Sequence, residues 1–181
     1  AVTNTGADQQ YSEIVRLRPG DHVVNCGVGA GWELPYFIVM LQGQGRIYNV
    51  DPVIFDPLVN PDVLSSASGT LLKFRDLITD IIAAVSDVDG PKEYTFVNSM
   101  YYDLKDQVFP QDGNPITFTI DTSRIDSLVA SGRIERIDYL KLDIEGSEPA
   151  ALRGAIGSIK RFRPRVAVAI YHALSHFWDI P

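Results

Sequence analysis

The sequence contains a single cysteine, Cys26, among its 181 residues. One thiol cannot form an intrachain disulfide, so the fold does not depend on an oxidising compartment. The sequence also has no apolar stretch approaching the roughly 20 residues that a membrane-spanning helix needs. Residues 1–10 lack the basic start and the apolar run of a signal peptide. We therefore expect a cytoplasmic protein with no membrane partner.

Basic residues are scarce, with 16 Lys and Arg against 23 Asp and Glu and a net charge of -7. The one basic cluster, at residues 160–165, is typical of a helix C-terminus, where cations stabilise the helix dipole. A nucleic-acid partner would need clustered Lys and Arg over a larger surface, so we expect none. The length and an apolar content of 45% predict one globular domain over residues 1–181.

Strands and helices alternate along the chain. His22–Cys26 is apolar and β-branched, a glycine turn follows, and apolar residues at 34, 37, 38 and 41 then recur with the period of a helix. Further strands are expected at residues 46–50, 78–85, 94–97, 116–120, 137–144 and 165–171, and further helices at residues 11–15, 61–74, 123–129 and 152–159. This pattern predicts an α/β domain with a mostly parallel, doubly wound sheet.

Glycines at positions 27, 29 and 31 follow the first strand, so main-chain N–H groups and a helix N-terminus can approach a ligand closely there. A dinucleotide fingerprint would need a further glycine at position 32, which is Trp32 in this chain. Asp51 ends the next strand about 20 residues later, where a carboxylate accepts hydrogen bonds from the hydroxyls of an adenosine ribose. Because Asp51 precedes Pro52, the alternative is that it caps a helix. We favour a nucleoside-cofactor site.

The most informative segment is residues 138–148, in which an apolar strand runs into the carboxylates of Asp143, Glu145 and Glu148. Ligands of open α/β sheets bind beyond the carboxyl ends of the strands, so these acids are candidates for a functional site. For Glu148 the alternative is a helix N-terminus, where an acid stabilises the dipole by about 0.3–1 kcal/mol. The strand that follows is expected to deliver His172 to the same sheet edge.

Several segments together resemble the FkbM-type S-adenosylmethionine-dependent methyltransferases. The resemblance covers about residues 21–172 and is most specific in the acid-rich block. The matching segments are Ile125-Asp126-Ser127-Leu128, residues 137–148, Leu152-Arg153-Gly154-Ala155, Ala84-Val85-Ser86-Asp87 with Gly90, and the glycine turn with Asp51-Pro52. The resemblance implies a Rossmann-like class I methyltransferase fold. It also implies S-adenosyl-L-methionine as the cofactor and, as the acceptor, a hydroxyl on a sugar, a polyketide or another small natural product.

The resemblance places the methionine end of the cofactor over the turn, the ribose at Asp51 and the adenine beside the loop after the third strand. The residues implied in cofactor binding are Asn25, Gly27, Gly29, Gly31, Asp51, Pro52, Ala84 and Ser86. Asn25 departs from the pattern of methyltransferases, which commonly have an acidic residue two positions before the first glycine, although an amide oxygen still accepts hydrogen bonds. A second departure is that ten residues follow Tyr171, so we expect the usual C-terminal β-hairpin to be missing from this chain.

The cofactor's sulfonium already supplies a leaving group, so the protein mainly aligns donor and acceptor. A hydroxyl acceptor still benefits from a general base, by about 10²–10⁴-fold, and histidine is the commonest one. His172 is the first candidate, with Asp143 and Glu145 as alternative bases or as groups that orient it. His172, His176 and Asp143 could also hold a divalent metal. We expect no metal, because the strand end at Tyr171 breaks the helix register that the two histidines would need.

Two other functions share these features. An NAD-dependent oxidoreductase would also use the glycine turn and Asp51, but Trp32 and the acid-rich fourth strand count against it. A non-catalytic nucleoside-binding domain would agree with Asn25 and with the short C-terminus. The polar insert at residues 98–115 is a candidate lid or substrate loop, with a plain surface excursion as the alternative.

Overall fold

A five-stranded parallel sheet forms the centre of this computed structural model, which describes residues 16–29, 31, 33–52, 73–96 and 116–180. The strands are β1 (His22–Cys26), β2 (Arg46–Asp51), β3 (Ile78–Ile82), β4 (Ala84–Val85), β5 (Gly90–Phe96), β6 (Ile116–Ser123), β7 (Tyr139–Leu142) and β8 (Arg165–Val168). The α-helices are α1 (Leu34–Leu41), α2 (Ile125–Ala130), α3 (Glu148–Arg153), α4 (Ile156–Phe162) and α5 (His176–Asp179). The order in the central sheet is β3-β2-β1-β7-β8, and every neighbouring pair in it is parallel.

Helix α1 covers one face of the central sheet with the four apolar side chains that the helical period predicted. Pro35 lies in its first turn, where the missing N–H has no helical partner to lose. The ring of Phe37 meets that of Tyr139 edge-on, with 6.1 Å between centroids. Burial of a side chain such as Phe37 stabilises the fold by about 1.5–3 kcal/mol. The helix ends at Leu41 because Gln42 turns left-handed, with φ 52, and bonds the Val39 carbonyl.

Helices α2, α3 and α4 cover the opposite face. There Val24, Cys26, Leu140 and Leu142, which alternate with the residues facing α1, are fully buried against helix residues such as Ile125. Helices therefore lie on both faces of a parallel sheet, and the predicted doubly wound α/β fold is confirmed.

A second, three-stranded sheet has the order β4-β6-β5, with β4 parallel and β5 antiparallel to β6. The single buried strand predicted over residues 78–85 is wrong, because the chain leaves the central sheet at Ala83. Among the described strands β3 pairs with β2 alone, so it forms an edge, and Ile82 is 71% exposed. Ala84 and Val85 then pair with β6 instead.

The helix predicted across residues 152–159 is divided into α3 and α4. A Cβ atom at Gly154 would lie 2.0 Å from the carbonyl oxygen of Ser86, so the chain packs there more closely than a side chain permits. The helix predicted from Ser123 begins at Ile125, because Ser123 still belongs to β6.

The strands predicted over residues 137–144 and 165–171 are present but shorter, at Tyr139–Leu142 and Arg165–Val168. The helix predicted at residues 11–15, nearly all of the helical region at 61–74 and the insert at 98–115 lie outside the described residues. Within the described ranges, no helix has both the length and the apolar character that crossing a membrane requires.

Gly27→Ala is expected to lower the free energy of unfolding by about 3 kcal/mol or more, through backbone strain and a steric clash together. Gly27 has φ 78, and a Cβ atom there would lie 1.7 Å from the carbonyl oxygen of Asp143. Gly20→Ala is the matched control, because Gly20 has φ 86 with nothing within 4 Å. Gly20→Ala should lower the free energy of unfolding by about 1–2 kcal/mol. Urea unfolding measures both, and equal losses would contradict the close contact at Gly27.

Candidate active site

The parallel strands bring the candidate residues to one edge of the central sheet, because their carboxyl ends all lie there. β1 ends at the glycine turn, β2 ends at Asp51, β7 ends directly before Asp143, and β8 leads to His172. The main chain holds two of these ends together, since the N–H of Asp143 donates to the Cys26 carbonyl at 3.1 Å.

Asp51 lies against the glycine turn, as predicted, with Pro52 directly after it. Its Oδ2 accepts from the N–H groups of Val28 at 2.8 Å and Gly29 at 3.4 Å. These two amides therefore bind the protein's own carboxylate, whereas the sequence predicted main-chain amides that face a ligand. The N–H of Gly31 closes the turn on the Val28 carbonyl at 2.8 Å. A Cβ atom at Gly29, where φ is 50, would meet none of the described residues within 4 Å, so they leave space beside the turn.

Asn25 and Lys141 are register partners on β1 and β7, and both are buried. Lys141 Nζ donates to the Gly27 carbonyl at 2.6 Å and to Glu33 at 2.9 Å. Asn25 donates from Nδ2 to Asn49 at 3.3 Å, and its Oδ1 has no hydrogen-bond partner among the described residues. Lys141 was not among the predicted site residues, although a lysine inside an apolar strand is a signal for a buried, paired charge.

Of the residues predicted to border adenine, Ala84 lies close to Asp51. The N–H of Ala83 donates to the Asp51 carbonyl at 3.3 Å, which places Ala84 next to the end of β2. Ser86 is buried, and its hydroxyl accepts from Lys92 at 3.3 Å. The structure thus brings Ala84 next to Asp51, and the contact of Ala84 and Ser86 with adenine stays a prediction.

His172 joins the acidic residues at this edge, with a side chain 5% exposed. Its Nδ1 lies 2.8 Å from Glu148 Oε1, and its Nε2 lies 3.5 Å from both Asp143 and Glu145. Because a carboxylate only accepts, Glu148 favours the tautomer with the proton on Nδ1. Nε2 is then left on the side of Asp143 and Glu145, at a distance from each that is longer than a normal hydrogen bond. Tyr171 donates its hydroxyl to Asp143 at 3.0 Å.

Glu148 is fully buried and connects the parts of this cluster. It is the first residue of α3, and its Oε1 also accepts from the N–H of Ile144 at 2.9 Å. Its Oε2 lies 3.6 Å from Nδ1 of His176. The sequence left open a role in the helix dipole alone, whereas its contacts with two histidines include it in the site. These contacts were not predicted, because His172 lies 24 residues further along the chain.

A left-handed backbone brings Glu145 back to His172. Glu145 has φ 55 and the following Gly146 has φ 99. A non-glycine residue in this region costs about 1–2 kcal/mol, and such strain clusters at functional sites. Burial raises the pKa of Glu145 above its usual value, the charge of His172 opposes that shift, and the carboxylates of Asp143 and Glu148 reinforce it. The acidic residues of the site therefore repel one another.

The same cluster contains a candidate ligand set for a divalent metal. Among the described residues, Asp143, Glu148 and His172 each offer one donor atom, and these atoms lie within 4.8 Å of one another. The sequence grouped Asp143 and His172 with His176, but His176 contacts Glu148 instead. Since Glu148 and His172 already bond each other, a cation would have to use their remaining donor atoms.

The fold is that of a Rossmann-like methyltransferase. It is similar to the crystal structure of methyltransferase FkbM from Methylobacillus flagellatus KT, with a TM-score of 0.64 and 24% identity over 93% of this chain and 38% of that one. The chain thus spans well under half the length of that protein. A structure from Thermoplasma acidophilum has a TM-score of 0.26 and 17% identity over 59% of this chain and 70% of that one, which is too low to carry an argument.

Residues 21–180 match the sequence model of the methyltransferase FkbM domain. The chain therefore belongs to the FkbM methyltransferase family, and the predicted resemblance is confirmed. No curated protein sequence matches the chain.

Glu145→Gln is expected to raise the Tm at about pH 7.5, because it removes one of the mutually repelling carboxylates. The pKa of Glu145 is raised in the folded state, so the native state loses stability as pH rises from the unfolded value of about 4.3 through the folded one. The gain should therefore disappear below about pH 4.

Glu93→Gln is the matched control, since Glu93 is an exposed carboxylate on β5. Thermal unfolding followed by circular dichroism should show no change in Tm for it at either pH. A Tm for Glu145→Gln equal to that of the unsubstituted protein at neutral pH would refute the repulsion.

Proposed function

We propose that this chain is the catalytic domain of an S-adenosylmethionine-dependent O-methyltransferase that methylates a hydroxyl of a small molecule such as a sugar or polyketide. The observation that carries the proposal is the position of Asp51 and the glycine turn at the same sheet edge as His172 and its acidic neighbours. The glycine turn and Asp51, which we call the cofactor half, thus lie next to His172 and its acidic neighbours, which we call the base half. Membership of the FkbM family supports methyl transfer, and the cofactor and the acceptor class are our inference.

The cofactor half fits an adenosyl ligand. The described residues leave space beside Gly29 for a ligand at the turn, and the carboxylate of Asp51 lies there to accept from ribose hydroxyls. Asn25 offers an unpaired carbonyl oxygen for a donor such as the cofactor's ammonium. When bound, S-adenosylmethionine supplies an electrophilic methyl group together with its leaving group. These residues therefore need to bind and orient it and do no covalent chemistry.

The base half provides for the acceptor. His172 accepts the proton of the acceptor hydroxyl at Nε2, while Glu148 holds the ring and the Nδ1 proton in place. Asp143 and Glu145 stand on either side of Nε2 and accept hydrogen bonds from further hydroxyls, which suits a sugar-like acceptor. A net charge of -7 agrees with a small-molecule partner and disfavours a nucleic acid.

Each of the two alternative functions would use only part of this arrangement. An NAD-dependent oxidoreductase would use the glycine turn and Asp51 but has no need for the carboxylates around His172. A non-catalytic nucleoside-binding domain would use the first half and leave the buried Glu148–His172 pair without a purpose. The proposed methyltransferase uses both halves.

S-adenosylhomocysteine is expected to raise the Tm and NAD is not, because a ligand of the native state stabilises it by mass action. Asp51→Ala should weaken S-adenosylhomocysteine binding by at least about tenfold, since hydrogen bonds to a charged acceptor contribute about 1.5–3 kcal/mol each. Asp76→Ala, at an exposed aspartate, is the control and should bind normally. Calorimetric titration measures both variants. Stabilisation by NAD alone would end the methyltransferase proposal, and unchanged affinity in Asp51→Ala would remove Asp51 from the site.

His172→Ala is expected to lower kcat by about 100-fold or more, as the loss of a general base predicts, with little change in S-adenosylhomocysteine affinity. Transfer of a labelled methyl group to an acceptor found by screening hydroxylated compounds measures turnover. His22→Ala is the control, because His22 begins β1 and lies at the opposite edge of the sheet. Full turnover in His172→Ala would show that the base lies elsewhere.

A further inference from the structure

Four polar side chains form a row across the central sheet on the face that α1 covers, with Lys141 on β7 at one end and a hydrogen-bonded group of three on β1, β2 and β3 beside it. Asn25 on β1 is the register partner of Asn49 on β2, and Asn49 is the register partner of Asp80 on β3. Each stands two residues beyond an apolar residue packed on the α1 side, so all three share that face. Asn25 and Asn49 are 0% and 2% exposed.

The hydrogen bonds in this row have a fixed direction. Asp80 has only acceptor atoms, so the Asn49 amide must turn its Nδ2 towards Asp80, at 3.0 Å from Oδ1. The Oδ1 of Asn49 therefore faces the other way and accepts from Nδ2 of Asn25 at 3.3 Å. Nδ2 of Asn25 is thus used, and its buried Oδ1 is left without a partner among the described residues. Arg75 donates to the second oxygen of Asp80 at 2.8 Å.

We propose that Asp80 and Asn49 are positioning residues for the cofactor. Through two amides in series, Asp80 makes Asn25 present its carbonyl oxygen, and not its NH₂ group, to the ammonium at the methionine end of S-adenosylmethionine, directly or through one water. The proposal rests on the proposed function. A reversed Asn25 amide would set its own N–H donors against a cation, so the direction of the row decides whether the position attracts the cofactor.

This row also gives a physical reason for Asn25 at a position where methyltransferases commonly have an acid. The carboxylate is instead at position 80, two strands away. Because Asn49 donates to it and Asn25 donates to Asn49, the Asn25 side chain is left with its carbonyl oxygen as an acceptor. An ionised acid at position 25 would face the carbonyl oxygen of Asn49, and two acceptors cannot bond each other. The side chain at position 80 therefore decides whether an amide or a carboxylate is stable at position 25.

The first experiment reverses the row. In Asp80→Asn, Arg75 keeps its bond to the remaining side-chain oxygen, and the new NH₂ group takes the place of Oδ1 and donates to Asn49. The two amides beyond it then turn over, and S-adenosylhomocysteine affinity should fall by about tenfold, as loss of one hydrogen bond to a charged group predicts. Arg75→Met is the matched control, because it removes the exposed ion pair and keeps the direction of the row. Its affinity should be unchanged.

The second experiment restores a matched pair without needing turnover. Asn25→Asp alone should lower the Tm of the cofactor-free protein, because its carboxylate faces the Asn49 oxygen. Adding Asp80→Asn should recover the Tm and the affinity, since the reversed Asn49 then donates to the carboxylate at position 25. Adding Asp80→Leu instead removes the same charge but supplies no donor, so Asn49 can turn to the carboxylate only by leaving its own oxygen unpaired, and the Tm should recover less. The difference in Tm between the two double variants separates the effect of hydrogen-bond direction from the effect of losing the charge at position 80.

The positioning role is overturned if Asp80→Asn binds S-adenosylhomocysteine within about twofold of Arg75→Met, or if the two double variants have equal Tm values. If S-adenosylhomocysteine binds none of the proteins, including the unsubstituted one, the proposed function fails. The Tm values of the double variants then still decide whether the row has the direction that we infer.

Discussion

The buried ammonium of Lys141 is the interaction on which the rest of this edge depends. Its side chain is 3% exposed, and its charge is paired with Glu33 at 2.9 Å and lies 3.9 Å from Asp143. It also donates to the Gly27 carbonyl at 2.6 Å. A charge removed from water must be paired and hydrogen-bonded. The lysine therefore fixes the turn after β1 and the carboxylate after β7 relative to each other, and so joins the two halves of the site.

The acidic residues beyond Lys141 carry more negative charge than one ammonium balances. Glu145 remains close to His172 although its backbone is strained and its pKa is raised. Glu148 lies beneath them with no exposure. Charge crowding of this kind works against folding and is retained where a ligand or a reacting group uses it. The carboxylate of Glu145 therefore lowers the stability of the fold while it contributes to the site.

The sequence was sufficient for the features that are local along the chain. β1 and β2 are apolar runs bounded by turn residues, and the spacing from the glycine turn identified Asp51. Glu148, Asn49 and Asp80 were not assigned their roles, because their partners are set by strand register and by chain crossings, which place distant residues side by side. The break at Gly154 was missed for the same reason, since apolar residues continue at helical spacing through it while the cause lies at Ser86.

β5 and β6 pair up to Phe96 and Ile116, so the two ends of the connection between these strands lie side by side. Doubling the length of such a connection adds only about 0.6 kcal/mol of closure entropy. Evolution can therefore exchange this segment for a longer or shorter one while the register of β5 and β6 is kept. If the segment contacts the acceptor, relatives can acquire new acceptors by replacing this one connection. The residues that bind the cofactor then stay unchanged.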